Sequence, residues 1–222
     1  MLGEVMSKIK CPKCGNRNVA EYLWGMPAFT KKLEEELEVG HVVLGGCMIT
    51  ESDPKYHCNN CKKDFGGPPI KMNKDGSLFD YAIETRNISF YVGGFFGGYI
   101  NLCFEKDENG CHYEVKPGLA MDEYNFENNR TGKQELSIEE WNKLINKIYN
   151  KIFLLSWKKK YNNSDILDGE QWGLEIKLEG KRQLNYYGSN AYPVYWRELI
   201  NLFHPYAKNA GVTLRTNGNK MI

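Results

Sequence analysis

Two Cys-x-x-Cys pairs, Cys11/Cys14 in "CPKCGN" and Cys58/Cys61 in "CNNCKK", restrict the folds open to this chain more than any other feature. Two intervening residues let both sulfurs of a pair turn onto one ion, at about 2.3 Å each, as half of a tetrahedron. Gly15 follows the first pair, where a tight turn needs positive φ. The flanks "KIK" and "VAEYLW" are β-prone and suit the strands that leave such a knuckle. Cys11, Cys14, Cys58 and Cys61 are therefore expected to hold one zinc ion. Four thiolates fill the tetrahedron and leave no position for water or substrate, so the ion reads as structural. The chain has seven cysteines, an odd number, and in a reducing compartment the C-x-x-C spacing favours metal over disulfides. The competing reading, two redox C-x-x-C motifs, requires a βαβ pattern, and none is read around either pair.

The gap between the pairs, residues 15–57, is 43 positions long. Closing it costs about 3 kcal/mol in the logarithmic length term, against an apparent binding energy on the order of 10–16 kcal/mol for structural zinc. The insertion also carries local order. Thr30 can cap a helix with Leu33 and Leu37 one turn apart, Gly40 stops it, and "HVVL" from His41 reads as a short strand. His57 directly precedes Cys58, so in extended chain its side chain faces away from the ion. Cys47, after Gly45-Gly46, reads as a small buried thiol rather than a ligand.

The pattern "CPKCG…LGGC…DP-x-x-H-C-x-x-C" resembles a zinc-ribbon domain found in uncharacterised bacterial proteins, with a charged helix between its knuckles. The resemblance covers residues 8–66 and implies the ribbon fold and the metal, but no activity.

At 222 residues the chain has room for a small and a medium domain. The expected organisation is a zinc ribbon with helical insertion over residues 1–66 and an α+β domain over 67–222. "FGGPPIKMNKDGSLF" marks a linker or wrapped connection at 66–80. "ISFYV" and "YINLCFEKD" are strands joined by "GGFFGG", which lacks the pattern of a phosphate loop and reads as a hairpin turn or strand kink. "DENG" turns the chain into "CHYEV". Matching Leu102 and Phe104 to Cys111, Tyr113 and Val115 sets the register and puts Cys103 on the opposite face from Cys111, which disfavours a disulfide. Ser137 and Glu140 form a capping box opening a long helix, whose buried face runs from Trp141 through Ile148 and Ile152 to Leu155. Trp172, Leu174, Ile176 and Leu178 alternate inward along a hairpin that turns near Glu179-Gly180. A final helix after Pro193 carries Trp196, Leu199, Ile200 and Phe203 on one face, with Pro205 closing it. Strands, helix, hairpin, helix: the order is that of an α+β domain with an antiparallel sheet and two main helices.

Enzyme signatures are scarce. His112 stands in a strand and His204 at a helix end, neither near a nucleophile motif. Cys103 shares a strand face with His112 and is the one candidate reactive thiol. The most suggestive binding feature is "YYGSNAYPVYW", from which Tyr187, Asn190, Tyr192 and Tyr195, with Trp172, form an aromatic corner able to line a pocket or complete the core under the last helix. Charge is unevenly spread. Residues 1–66 balance at zero, 67–140 carry −6, and 141–222 carry thirteen basic and six acidic side chains, or +7. The reading is a zinc-containing, non-enzymatic recognition or adaptor protein that binds a protein or small ligand. The alternative is nucleic-acid binding through the basic C-terminal third, "WKKKYNN" and "EGKRQ". No apolar run reaches membrane-helix length and no signal peptide is read at the N-terminus, so a cytoplasmic protein is expected.

Overall fold

A computed structural model describes residues 9–94, 98–118, 132–166 and 169–220. The fold is α+β, and the chain divides into two compact units. The first is Met1–Asp80 with Tyr149–Trp157; the second is Tyr81–Ile148 with Lys158–Ile222. Among the described residues no helix is long and apolar enough to cross a membrane.

In the first unit, β1 (Val19–Trp24), β2 (Val42–Gly46), β3 (Tyr56–Cys58) and β4 (Asp64–Phe65) form one sheet in the order β2-β1-β3-β4. Helix α1 (Lys31–Glu38) links β1 to β2. Thr30 caps it by accepting from Leu33 N, and Gly40 just beyond it takes φ 72°. The two strands it joins are parallel, Glu21 beside Val42 and Leu23 beside Leu44. The insertion is thus a βαβ unit directly after the first cysteine pair, which corrects the expectation that none is present. The period of α1 is legible, but parallel pairing is a long-range choice that leaves no local mark.

Residues 66–80 contain a two-stranded hairpin, β5 (Ile70–Met72) and β6 (Leu78–Asp80). Tyr56, Phe65 and Phe153 form a ring cluster with centroids 5.3–6.2 Å apart. Phe153 arrives from the distant segment Tyr149–Trp157, and it explains why the long helix stops short.

In the second unit, α2 (Tyr81–Glu84) leads into β7 (Thr85–Gly94), β8 (Gly98–Asp107) and β9 (Gly110–Gly118). With β10 (Gln134–Leu136), β11 (Lys160–Asn162), β12 (Gln171–Leu178) and β13 (Gln183–Ser189) they make a seven-stranded sheet, order β10-β9-β8-β7-β12-β13-β11. All pairs are antiparallel except β11 with β13. The expected register holds: Leu102 faces Val115, Phe104 faces Tyr113, and Cys103 lies opposite Glu114, away from the Cys111 face. Gly93 pairs with Tyr99 and Gly94 with Gly98, as a hairpin requires, while the tip at 95–97 lies outside the described residues.

Helix α3 (Ile138–Asn150) begins at the capping box. Glu140 N donates to Ser137 Oγ at 3.2 Å and Ser137 N donates to Glu140 Oε2 at 3.0 Å. Trp141, Leu144, Ile145 and Ile148 are buried as expected, but the helix ends at Asn150 rather than running to Leu155. Phe153 adopts φ 54°, which buries its ring and turns Leu155 outward. A non-glycine residue there costs about 1–3 kcal/mol, comparable to the about 1.5–3 kcal/mol released by burying a phenylalanine ring.

Helix α4 (Trp196–Asn209) covers the inner sheet face. Phe203 meets Phe90 and Phe104 at 5.0 and 5.4 Å, and Trp196 meets Trp172 at 4.9 Å. Pro205 lies inside it and does not close it. A mid-helix proline removes one backbone hydrogen bond. Here the following turn is held by Tyr206, edge-on to Phe104 at 4.9 Å and to Tyr113 at 5.1 Å, and by fully buried Ala207.

Candidate metal centre

The two cysteine pairs fold into knuckles with the same hydrogen bonds. In the first, Gly15 N donates to Cys11 O at 2.8 Å and Cys11 N to Asn16 O at 2.9 Å. In the second, Lys62 N donates to Cys58 O at 2.8 Å and Cys58 N to Lys63 O at 2.9 Å. Each knuckle turns through positive φ just after its second cysteine, at Gly15 (φ 74°) and Lys62 (φ 54°). The first turn is legible from its glycine. The second is not, because lysine rarely marks a left-handed residue.

β1 leaves the first knuckle and β3 enters the second. Their antiparallel pairing, Val19 beside Cys58, brings the knuckles together across the 43-residue gap. Cys11 Sγ lies 3.6 Å from Cys61 Sγ, and Cys14 Sγ lies 3.6 Å from Cys58 Sγ. All four sulfurs fall within 4.8 Å of one another and could hold a metal ion. None of the seven cysteines is in a disulfide. A βαβ unit is present, but each C-x-x-C pair lies against the other pair.

Cys11 and Cys58 are fully buried, Cys61 partly so and Cys14 exposed. Burial pushes the Cys11 thiol up to about 12 and also raises Cys61. Cys14 shifts the other way. What burial it has works upward, but hydrogen bonds from the Asn16 backbone and then from Cys58 and Asn60 bring it down to about 7. Thiols this close resist simultaneous ionisation, because each thiolate raises the cost of forming the next. A cation at the centre removes that resistance. Asn60 Nδ2 donates to Cys14 Sγ at 3.7 Å and Cys61 N to Cys58 Sγ at 3.5 Å, supporting contacts that orient thiolates around an ion.

His57 turns away from the sulfurs, as expected. Its Nδ1 lies 2.6 Å from Asp64 Oδ1, which also accepts from Tyr22 Oη at 2.9 Å. Cys47 is exposed, against the expectation of burial, because β2 ends at Gly46 (φ 98°) and the chain turns outward. In the same loops Met26 (88% exposed), Phe29 (64%), Met48 (85%) and Ile49 (68%) face solvent. Gly25 N donates to Gly46 O at 2.8 Å, so the loops after β1 and β2 lie side by side. Sequence reasoning missed this patch. Its signal is a set of apolar residues in "GMPAF" and "CMI" that belong to no periodic element.

The aromatic corner is largely internal. Trp172 is fully buried and donates through Nε1 to Ala191 O at 2.9 Å. Asn190, at φ 51°, clamps the loop to β12: its N–H donates to Glu170 O and its Oδ1 accepts from Glu170 N, both at 2.9 Å. Tyr195 is buried. Among the described residues the Tyr192 hydroxyl is buried with no hydrogen-bond partner, and burial first, then the nearby Glu170 carboxylate, raises its pKa. Tyr187 alone of the five presents an exposed ring, with Lys160 Nζ 5.6 Å from its centroid. Glu170, missed in the sequence, is the hub: it is buried and accepts from Thr216 Oγ1 and, at 2.8 Å, from Asn217 N.

The Cys103 sulfur accepts from Asn87 Nδ2 at 3.2 Å and lies 3.8 Å from Ser89 Oγ. His112 on the same face instead meets Glu105 Oε2 and Lys133 Nζ, both at 2.9 Å. Glu105, Asp107 and His112 could also hold a metal ion, but the Lys133 ammonium already lies against the histidine nitrogen. The chain matches no protein-family model, no curated protein and no solved structure.

Proposed function

We propose that this is a zinc-containing, non-enzymatic recognition protein whose first unit is stapled by one ion on Cys11, Cys14, Cys58 and Cys61. The observation that carries the reading is the four-sulfur cluster. A tetrahedral zinc with bonds of about 2.3 Å requires sulfur separations of about 3.8 Å, and the closest pairs lie at 3.6 Å. Four thiolates favour zinc over the harder oxygen-seeking ions and leave no coordination position for a substrate. The ion then supports a surface, and the surface with the character of a recognition site is the exposed apolar patch of Met26, Phe29, Met48 and Ile49. The resemblance of residues 8–66 to bacterial zinc ribbons is part of the same proposal.

Metal analysis of protein purified without added metal should find one zinc per chain. For recognition, a photo-crosslinking residue at Phe29 should capture a discrete partner in cells, and one at Tyr187 should not. Loss of zinc stoichiometry overturns the first statement, and equal capture at both positions overturns the second. A nucleic-acid reading keeps one supporting observation, the exposed Tyr187 ring beside exposed Lys158 and Lys160 on the edge of the second sheet. It requires binding to single-stranded DNA or RNA that weakens steeply with salt.

A further inference from the structure

The four- and seven-stranded sheets end, among the described residues, in four edge strands. Three are blunted. β4 has two residues and follows Lys62-Lys63, β10 has three including Glu135, and β11 has three beginning at Lys160 after Lys158-Lys159. Short length and charge are the usual protection against a foreign strand. The fourth, β2, has neither. It is five residues long, and from Val42 to Thr50 the chain carries no charged residue and no proline.

The unused backbone groups of β2 can be identified. Glu21 N donates to His41 O at 2.9 Å, so in the parallel ladder the odd-numbered residues bond β1, while Val42 and Leu44 turn N–H and C=O outward. Around this edge Val39, Leu44 and Met48 hold their side chains in solvent.

We propose that β2 is a self-association edge, pairing antiparallel with β2 of a second copy of this chain about a two-fold axis near Val43. The two four-stranded sheets would then join into one. A second copy fits because a two-fold interface must be complementary to itself. An uncharged strand sets no like charges opposite each other. Antiparallel pairing about Val43 also matches the outward groups of Val42 to those of Leu44 in the other copy. It brings the exposed Val39 end of one strand to the Cys47-Met48 end of the other, so both apolar ends are covered at once. This goes beyond recognition of a partner at the loop patch, and its test is independent of that partner.

Sedimentation velocity of the metal-loaded full chain should show a species of twice the chain mass at micromolar concentration. Leu44→Lys and Val42→Pro should each sediment as single chains. The lysine sets like charges diagonally across the two-fold axis, and the proline removes an outward N–H without touching the ladder to β1. Metal stoichiometry and the far-ultraviolet circular dichroism of both variants should match the parent, which separates loss of pairing from loss of fold. Mixing Leu44→Lys with Leu44→Glu should restore the doubled mass through opposite charges. A parent chain that sediments singly throughout overturns the proposal. So does a doubled mass that persists in both single variants, or a mixture that stays dissociated.

Discussion

The unit that carries the four clustered cysteines and the unit that carries the large sheet are held together by different physics. In the first unit the four strands are short, five or six residues in β1 and β2 and two or three elsewhere, and the separate segment Tyr149–Trp157 supplies Tyr149, Ile152, Phe153, Leu154 and Trp157 to a core otherwise made chiefly of Val19, Leu33, Tyr56 and Phe65. Such a unit needs a staple, and the knuckles supply the ligands for one. The second unit instead lays α4 across long antiparallel strands, with Trp172, Phe90, Phe104 and Phe203 almost completely buried in a continuous aromatic layer. Its stability is distributed over many side chains, so no single group decides whether it folds. A centre made of four ligands gains or loses its ion as a whole; a layered core loses strength by increments.

The sharpest way to break this comparison is Cys58→Ser. It should release the ion, remove stabilisation on the order of 10 kcal/mol or more from the first unit, and leave the unfolding transition of the second unit in place. Metal analysis with two-transition calorimetry reads both outcomes; stoichiometric zinc in the variant would refute the ligand set. Trp172→Ala tests the other side. It should cost the second unit about 3–5 kcal/mol in urea unfolding with one metal still bound per chain. Thr216→Val is a smaller intrusion. It removes one of the two donors to the buried Glu170 carboxylate and the acceptor of Trp196 Nε1, which donates to Thr216 Oγ1 at 3.0 Å, and should cost about 1–3 kcal/mol without changing metal content.

Glu140→Gln is the gentlest probe. Hydrogen bonds from the Ser137 backbone and then its hydroxyl lower the Glu140 pKa in the folded state. Its contribution is therefore present above the unfolded carboxyl range and is lost as pH falls through the lower folded value. Denaturation of the second unit at neutral and acid pH should show a slightly steeper acid loss for the parent than for the glutamine variant.

Much of this architecture is legible in the sequence. The capping box, the Leu102–Val115 register and the two C-x-x-C knuckles all rest on spacing rules that act within a turn or a hairpin. The outward turn of His57 is legible for the same reason, since alternation along a strand is local. The departures have one physical origin. Phe153 leaves the helical pattern because a ring cluster of residues 56 and 65 can bury it, and Pro205 stays inside α4 because Tyr206 and Ala207 pack beyond it. Tertiary contacts overrode a local preference in each case.

The aromatic corner shows the same limit from the other direction. A cluster of tyrosines between a strand and a helix has the same sequence whether it lines a pocket or fills a core. What separates the two is Glu170, which reaches the corner from the start of β12 and ties Asn190 and the C-terminal residues Thr216 and Asn217 around it. By itself, then, the sequence determined which atoms can bind a metal and which faces of each element are apolar, because both follow from short-range periodicity. Tertiary structure alone decided that β1 and β2 run parallel, that the corner is internal, and that an uncharged edge and an apolar patch remain at the surface. Burial is a property of what the rest of the chain places nearby, and no local pattern records it.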